Sequence, residues 1–421
     1  MKKKAYKTVD VKKVNVDALS KKVEGEPIVL SIDVAKTDFV ASIMTSNKEV
    51  LLTLKWKHPS ESLLLIELIL KNLRWHSLEV AMEPSGTYGD SLRAQFLGHG
   101  IDVYRVSPKR SHDAAEVYDG VPSMHDAKAS AIIGYLHLEG YSEPWPMPDK
   151  DQRTLTAAIR TMEMYDDAYY RNINRLEALT MRYWPELSSI LSLQSATLLE
   201  LLIRYGCPDH VEQCRDEAET LMKKVGGAQL KDDKVQAVLT SAAASLGVKS
   251  LEAERLQVQE LCQEIRRLQQ QRRHAQQQVE GLTQDVDGVK AMSPVLGKVT
   301  AAVIYLAVGG MHAHSGAGSV VKALGLNLKE RSSGKHKGQL RITKRGSGSA
   351  RMYLYMAALR LIRCDKIIKA WYSKKIFRDG GMKMKAIVAI MRKLAAALWH
   401  VGKGVEFDAS KMLDTRRLAL N

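Results

Sequence analysis

Apolar and polar positions along the chain fall into three stretches of different period. Between residues 28 and 106, short apolar runs alternate with turn residues and with helical repeats. Ile28 to Val34, Phe39 to Met44 and Val50 to Trp56 read as three consecutive strands, whose short connections favour antiparallel pairing. Glu61 to Leu73 then has helical spacing, followed by strand Leu78 to Met82, helix Tyr88 to Leu97 and strand Ile101 to Val106. Three strands followed by alternating α and β fit an RNase H-like layout, a pattern that other α/β folds share.

From Asp149 to about Asp285 the pattern is helical. The segment from Leu251 carries a heptad seam, with Leu251, Val258, Ile265, Arg272 and Val279 at one position and Glu254, Leu261, Leu268, Ala275 and Leu282 at the other. Eight of these ten are apolar, and the flanks are rich in Gln, Arg and Glu, the composition of a coiled coil. Asp151 to Tyr183 can serve as an antiparallel partner, a second copy can do the same, and a long helix packed on its own domain has the same pattern. Residues 183–250 read as a helical insertion. From Val286, the turn Met292-Ser293-Pro294-Val295-Leu296-Gly297-Lys298 leads into an apolar helix, Val299 to Val308. A glycine turn whose amides open a helix can grip a backbone phosphate, although plain helix packing gives the same pattern. Helices at Ala350 to Arg363 and Met384 to Val401 complete this region. The expected division is a basic disordered arm (1–25), an α/β domain (26–148), a helical coiled-coil region (149–285) and an all-α C-terminal domain with a serine loop (286–421).

Charge narrows the function. The chain has 63 Lys and Arg against 47 Asp and Glu, a formal +16, and a pI near 9.5. Such an excess favours a polyanion, because each phosphate neutralised releases condensed counterions. No apolar run approaches the roughly 18 residues of a membrane helix, and no hydrophobic segment follows the Lys-rich start, as a signal peptide requires. Cys207, His210 and Cys214 lie close together, but no second pair follows at zinc spacing, so reduced thiols in a cytoplasm are expected.

The candidate chemistry lies in two places. Asp33 ends one apolar strand, and Glu83 ends another just before the turn Pro84-Ser85-Gly86-Thr87-Tyr88. If those strands are neighbours, the two acids meet at one sheet edge. Asp126 opens a helix at 126–137, where an Asp is commonly an N-cap. Three carboxylates reaching one point would hold Mg²⁺, since oxygen-only ligands favour hard cations. Far downstream, the loop between Lys322 and Arg351 holds Lys329, Arg331, Lys335, Lys337, Arg341, Lys344 and Arg345 with one acid, Glu330. Its glycines let backbone approach phosphate, and Ser333-Gly334 places a hydroxyl among the cations. Taken alone, the loop reads as a phosphate-binding element. Ser315, beside His312 and His314, is a weaker competitor.

These residues resemble the bridge-RNA-guided DEDD transposases of bacterial insertion sequences, over most of the chain. Ile32-Asp33-Val34-Ala35-Lys36 resembles the family's first-strand motif and Glu83-Pro84-Ser85-Gly86-Thr87-Tyr88 its second. Val103 to Lys109 resembles the stretch before its third acid. Ser332-Ser333-Gly334, Ile342-Thr343-Lys344-Arg345-Gly346 and Arg351 resemble its C-terminal serine region. The resemblance implies a RuvC-like N-terminal domain, a coiled-coil insertion and a helical C-terminal transposase domain. It implies Asp33, Glu83 and Asp126 as Mg²⁺ ligands and catalytic residues, with Ser333 as the nucleophile and Ser332 as its alternative. Lys335, Lys337, Arg341, Lys344, Arg345 and Arg351 would bind nucleic acid. A structured guide RNA would pair with donor and target DNA, in a homo-oligomer (dimer or tetramer) associated with the bacterial nucleoid. The chain departs from the pattern at one acid: the position at Ser123, or else at Ala129, lacks its carboxylate, and His125, Asp119 or Asp113 would have to substitute. The alternative function is a RuvC-like structure-selective nuclease in which water attacks.

Overall fold

The computed structural model describes residues 6–330, 338 and 340–415, and the chain divides after Asp149 into two compact units. The first unit comprises β1 (Thr8–Asp10), α1 (Val16–Val23), β2 (Pro27–Asp33), β3 (Asp38–Thr45), β4 (Val50–Lys57), α2 (Ser62–Lys71), β5 (Ser77–Met82), α3 (Asp90–Gly98), β6 (Asp102–Val106), α4 (Pro108–Asp113), α5 (Ala115–Asp119), α6 (Asp126–Leu138) and β7 (Ser142–Pro144). The strands form one mixed seven-stranded sheet in the order β1-β4-β3-β2-β5-β6-β7. β2, β3 and β4 pair antiparallel, as their short connections dictate, while β5 lies parallel to β2 and β6 parallel to β5.

Alternation along the central strands sends side chains to two different layers. Ile28, Leu30 and Ile32 of β2 and Val80 and Met82 of β5 join a large core with Leu19, Leu65, Ile69, Leu92 and Phe96 from α1, α2 and α3. Val29 and Ala81 face the other way, into a smaller core with Ile132, Ile133 and Leu136 of α6. The sheet is therefore covered on both faces, and residues of odd number in β2 and β5 belong to the face carrying α6.

The expected disordered arm is corrected by the structure. From Thr8 the segment is folded: β1 pairs in parallel with β4, matching Thr8 to Thr53 and Asp10 to Lys55, and α1 follows, with Asn15 accepting from the Ala18 amide as its N-cap. Val11, Leu19 and Val23 are buried. Among the described residues, Lys7, Lys12, Lys13, Lys21 and Lys22 occupy exposed positions, while Val11, Leu19 and Val23 join the large core of the sheet.

α6 crosses the sheet closely. Buried hydroxyls line the contact: Ser130 Oγ lies 2.8 Å from Ser42 Oγ, and Ser31 Oγ donates to the Ser42 carbonyl at 3.1 Å. Gly134 makes this approach necessary, because a Cβ there would lie 2.4 Å from Met44 Sδ and 2.7 Å from Ser31 Oγ. Gly134→Ala should therefore lower the stability of this unit by roughly 1–3 kcal/mol, the usual penalty of overpacking. An unchanged urea midpoint for its unfolding would show that α6 can retreat freely.

The second unit is helical. α7 (Lys150–Tyr183), α8 (Leu187–Ile190), α9 (Ala196–Tyr205), α10 (Pro208–Gln213), α11 (Arg215–Gly226), α12 (Asp232–Ala243) and α13 (Glu252–Thr283) are followed by α14 (Asp287–Leu296), α15 (Lys298–Val308), α16 (Ala317–Ala323), a short ribbon of β8 (Leu328–Lys329) and β9 (Arg341–Ile342), α17 (Gly348–Cys364), α18 (Lys366–Arg378), α19 (Lys383–Val401) and α20 (Ala409–Met412). α7 and α13 run antiparallel along each other within one chain, as the pairs Asp166–Arg272 and Arg182–Glu254 require. The heptad positions Val258, Ile265, Leu268, Ala275 and Val279 are buried, together with Cys262, but Leu251 and Leu282 are exposed. The contact stripe is set by the helices actually packed there, α7 and α9, and it departs from a strict seam at both ends. The boundary expected at 285/286 is not a seam between compact units either. Leu155, Ile159 and Met162 of α7 and Ala275 and Val279 of α13 share one core with α14 to α19. The far end of the same pair packs with α9 to α12 in a second core.

Candidate active site

Asp33 and Glu83 are brought together by the parallel pairing of β2 and β5. Ile32 is matched with Met82, and the Glu83 amide donates to the Ile32 carbonyl at 3.4 Å, so the two carboxylates follow one another at the same sheet edge. Both are of odd number, on the face covered by α6. The direction of α6 is fixed at its other end, where His137 Nε2 lies 3.0 Å from Glu79 Oε2 near the start of β5. Its first residue, Asp126, is accordingly at the edge where Asp33 and Glu83 stand.

The electrostatics record this convergence. The Asp33 carboxyl is pushed up to about 6, first by burial and then by the like charges of Glu83 and Asp126. Burial also raises Glu83, partly offset by a hydrogen bond from the Ser111 hydroxyl of α4. Asp126 is exposed, and the α6 amides at its end favour negative charge nearby. The N-cap of this helix is His125, whose Nδ1 accepts from the Lys128 amide at 3.3 Å; Asp126 is free of the capping role that its position invited. Among the described residues no three His, Cys, Asp or Glu side chains stand in a metal-ligating arrangement. Asp33 is within electrostatic reach of the other two, rather than all three being closed around a point. The set is purely oxygen donors, the kind hard divalent cations take.

None of the three substitutes considered for the absent acid joins this group. Asp119 accepts from Lys128 Nζ at 2.6 Å and from the Tyr6 hydroxyl at 2.5 Å, which hold it down at about 2. Asp113 is exposed and paired with Lys109, and His125 caps α6. Ser123 gives its carbonyl to Lys128 Nζ at 3.0 Å, and Ala129 is buried. Lys128 itself is only 1% exposed; with Asp119 and the Val121 and Ser123 carbonyls it fastens the segment that leads into Asp126. Sequence reasoning missed this lysine, although a lone lysine in the largely apolar stretch Ala127 to Leu136 is a visible signal.

In the second unit, Ser332, Ser333, Lys335 and Lys337 lie outside the described residues. The segment containing them is bracketed by β8 and β9, which pair Leu328 with Ile342 and Lys329 with Arg341. Below the ribbon, the Lys344 amide donates to the Gly325 carbonyl at 2.9 Å. Gly346 has φ 139°, and a Cβ there would meet the Ala323 carbonyl at 2.1 Å. Arg341, Lys344 and Arg345 are exposed. Arg351 is half-buried and donates to the Leu324 and Gly346 carbonyls at 3.2 and 3.0 Å, so it closes the base of the loop. Ser315 is exposed, and both ring nitrogens of His314 are engaged, with Val308 and Ser319. The four cysteines are free thiols. No helix among the described residues is long and apolar enough to cross a membrane.

Comparison with known proteins bears on both places. Residues 30–185 match a DEDD-type family model described as a transposase of the IS110 kind, and residues 291–373 match the model described as the Transposase IS116/IS110/IS902 family. The first span contains Asp33, Glu83 and Asp126, and the second contains the basic loop. No curated protein matches the chain.

Proposed function

We propose that the two transposase domains detected in the chain form one DNA-cutting and rejoining enzyme of an insertion sequence, with a serine nucleophile and metal-binding carboxylates. The observation that carries the reading is the convergence of Asp33, Glu83 and Asp126, with Asp33 pushed up to about 6. A carboxyl raised by burial, and further by the like charges of two neighbouring carboxylates, is relieved by a cation. Asp33, Glu83 and Asp126 would hold Mg²⁺, which when bound stabilises negative charge on a phosphate. Ser333, with Ser332 as its neighbour, supplies the hydroxyl. Its Oγ forms a bond to phosphorus as one backbone P–O bond breaks, and the departing deoxyribose oxygen takes a proton. Attack by a second DNA end restores the serine and joins the strands. Lys335, Lys337, Arg341, Lys344 and Arg345 neutralise the phosphates around that step, while Arg351 positions the loop. A structured RNA pairing with donor and target DNA would choose the sites, in a homo-oligomer acting at the bacterial nucleoid; the +16 charge supports nucleic acid of either kind as partner.

The experiment is to incubate the protein, with any RNA that co-purifies, with element-end DNA in Mg²⁺ or EDTA. Cut strands covalently attached to a peptide containing Ser332 or Ser333 are expected in Mg²⁺ alone. Free ends with no adduct would replace this reading with a nuclease in which water attacks. A second outcome concerns affinity. Neutralising Lys335, Lys337 and Arg341 should flatten the salt dependence of duplex binding by about 0.9 per lost phosphate contact, and an unchanged slope would place these cations away from DNA.

A further inference from the structure

We propose that the hairpin joining α18 to α19 holds an unpaired base of a DNA strand, with Phe377 as its stacking surface; this rests on the reading of the chain as a DNA-processing enzyme. Phe377 stands in the last turn of α18 and is 90% exposed, whereas Phe39 and Phe96 are fully buried. A bare phenyl ring is unfavourable in water, and its neighbours are not apolar residues of a hidden core. Residues 363–385 contain eight Lys and Arg against two Asp, a net +6 in a chain of net +16.

The turn gathers cations, of which Arg378 and Lys385 are exposed. Asp379, at the end of α18, accepts from Lys375 Nζ at 2.5 Å and pairs with Lys385 Nζ at 3.6 Å and Arg378 Nε at 3.7 Å. One carboxylate thus gathers three cations at the end of the helix that carries Phe377, leaving the cluster positive. Gly380 and Gly381 follow at φ 65° and 86°, with open space where a Cβ would stand, so a phosphate can approach the backbone directly. Met382 and Met384 are also exposed and widen the apolar part of the tip.

Charge selects the occupant. A second copy of the chain would bring the same cations against themselves, while a polyanion neutralises them. An aromatic ring amid Lys and Arg is the composition by which proteins hold single strands, the ring taking a base face and the cations the backbone. Bases within a duplex offer their faces to each other, so the ring selects a base out of the stack. Strand exchange during cutting and rejoining creates such bases.

The test uses the full chain and two fluorescent DNA duplexes, one with a single bulged 2-aminopurine and one fully paired. Binding of the bulged duplex should quench 2-aminopurine. Phe377→Ala should weaken that binding about 10-fold, as loss of one stacked base does, with the paired duplex unaffected and Phe377→Trp retaining wild-type affinity. An unchanged thermal midpoint confirms that the exposed ring has no folding role. Equal effects on the two duplexes, no effect on either, a change confined to oligomeric state, or a preference for the same bulge in RNA would each overturn the proposal. If the wild type binds and cuts DNA but Phe377→Ala changes nothing, only the stacking inference falls. If the wild type binds no DNA at all, the functional reading falls with it.

Discussion

Ser333→Ala is expected to lower strand cutting by about 10³-fold or more, the scale on which an enzyme loses its nucleophile, and to remove the covalent protein–DNA adduct. Affinity for DNA should change by less than about two-fold, because one hydroxyl among many cations adds little to phosphate binding. The argument is chemical. A neutral serine is a poor nucleophile, so its replacement is harmless unless its oxygen itself becomes bonded to phosphorus. Ser332→Ala serves as the companion, and the nucleophile is the one of the two whose loss removes the adduct. Retention of cutting in the double variant Ser332→Ala/Ser333→Ala would leave the carboxylates working with water.

Asp33→Asn should act in opposite directions on activity and stability. Cutting should fall by about 10²-fold or more, since electrostatic stabilisation lost from the reacting phosphate weighs directly on the barrier. Without metal, however, the variant should be the more stable protein. The folded-state value of Asp33 is raised from the ordinary carboxylate range to about 6. Below about pH 3 the carboxyl is protonated both folded and unfolded, and its effect is absent. As pH rises from about 4 through 6 the unfolded chain gives up the proton while the fold retains it, so stability is lost over this window. At pH 7 the loss is complete. Two pH units correspond to about 3 kcal/mol for a sealed group; partial exposure screens this to about 1 kcal/mol. In EDTA at pH 7, Asp33→Asn should therefore melt about 3 °C higher, and at about pH 3 the difference should vanish. Mg²⁺ should raise the wild-type midpoint and leave the variant unmoved. A variant less stable than wild type in EDTA would mean that Asp33 forms a structural contact instead of a strained edge of the site.

The legible parts of the fold are those in which local period and local role coincide. Strands β2 to β6 alternate every second residue or form buried runs, so their places follow from the sequence to within about two residues. Asp33 and Glu83 were legible for the same reason, because a carboxylate that interrupts an apolar run marks where a strand leaves the core. The arm before β2 was misread because three buried side chains among many lysines carry no periodic signal. The role of Lys128 was hidden because its partners, Asp119 and the Val121 and Ser123 carbonyls, become neighbours only when the loop folds back over α6.

The amino-acid sequence by itself determined the polyanion-directed charge, the order of strands and helices, and the acids and cations available for chemistry, since each depends on residues near one another in the chain. The tertiary structure alone decided that β5 lies parallel to β2, which sets Asp33 and Glu83 side by side, and that α6 runs so as to bring Asp126 to the same edge. It also decided that α7 pairs with α13 of its own chain and joins the core of α14 to α19. These outcomes turn on contacts between residues 40 or more positions apart, whose pairing is chosen by which apolar faces can be buried together, and no local pattern carries that information.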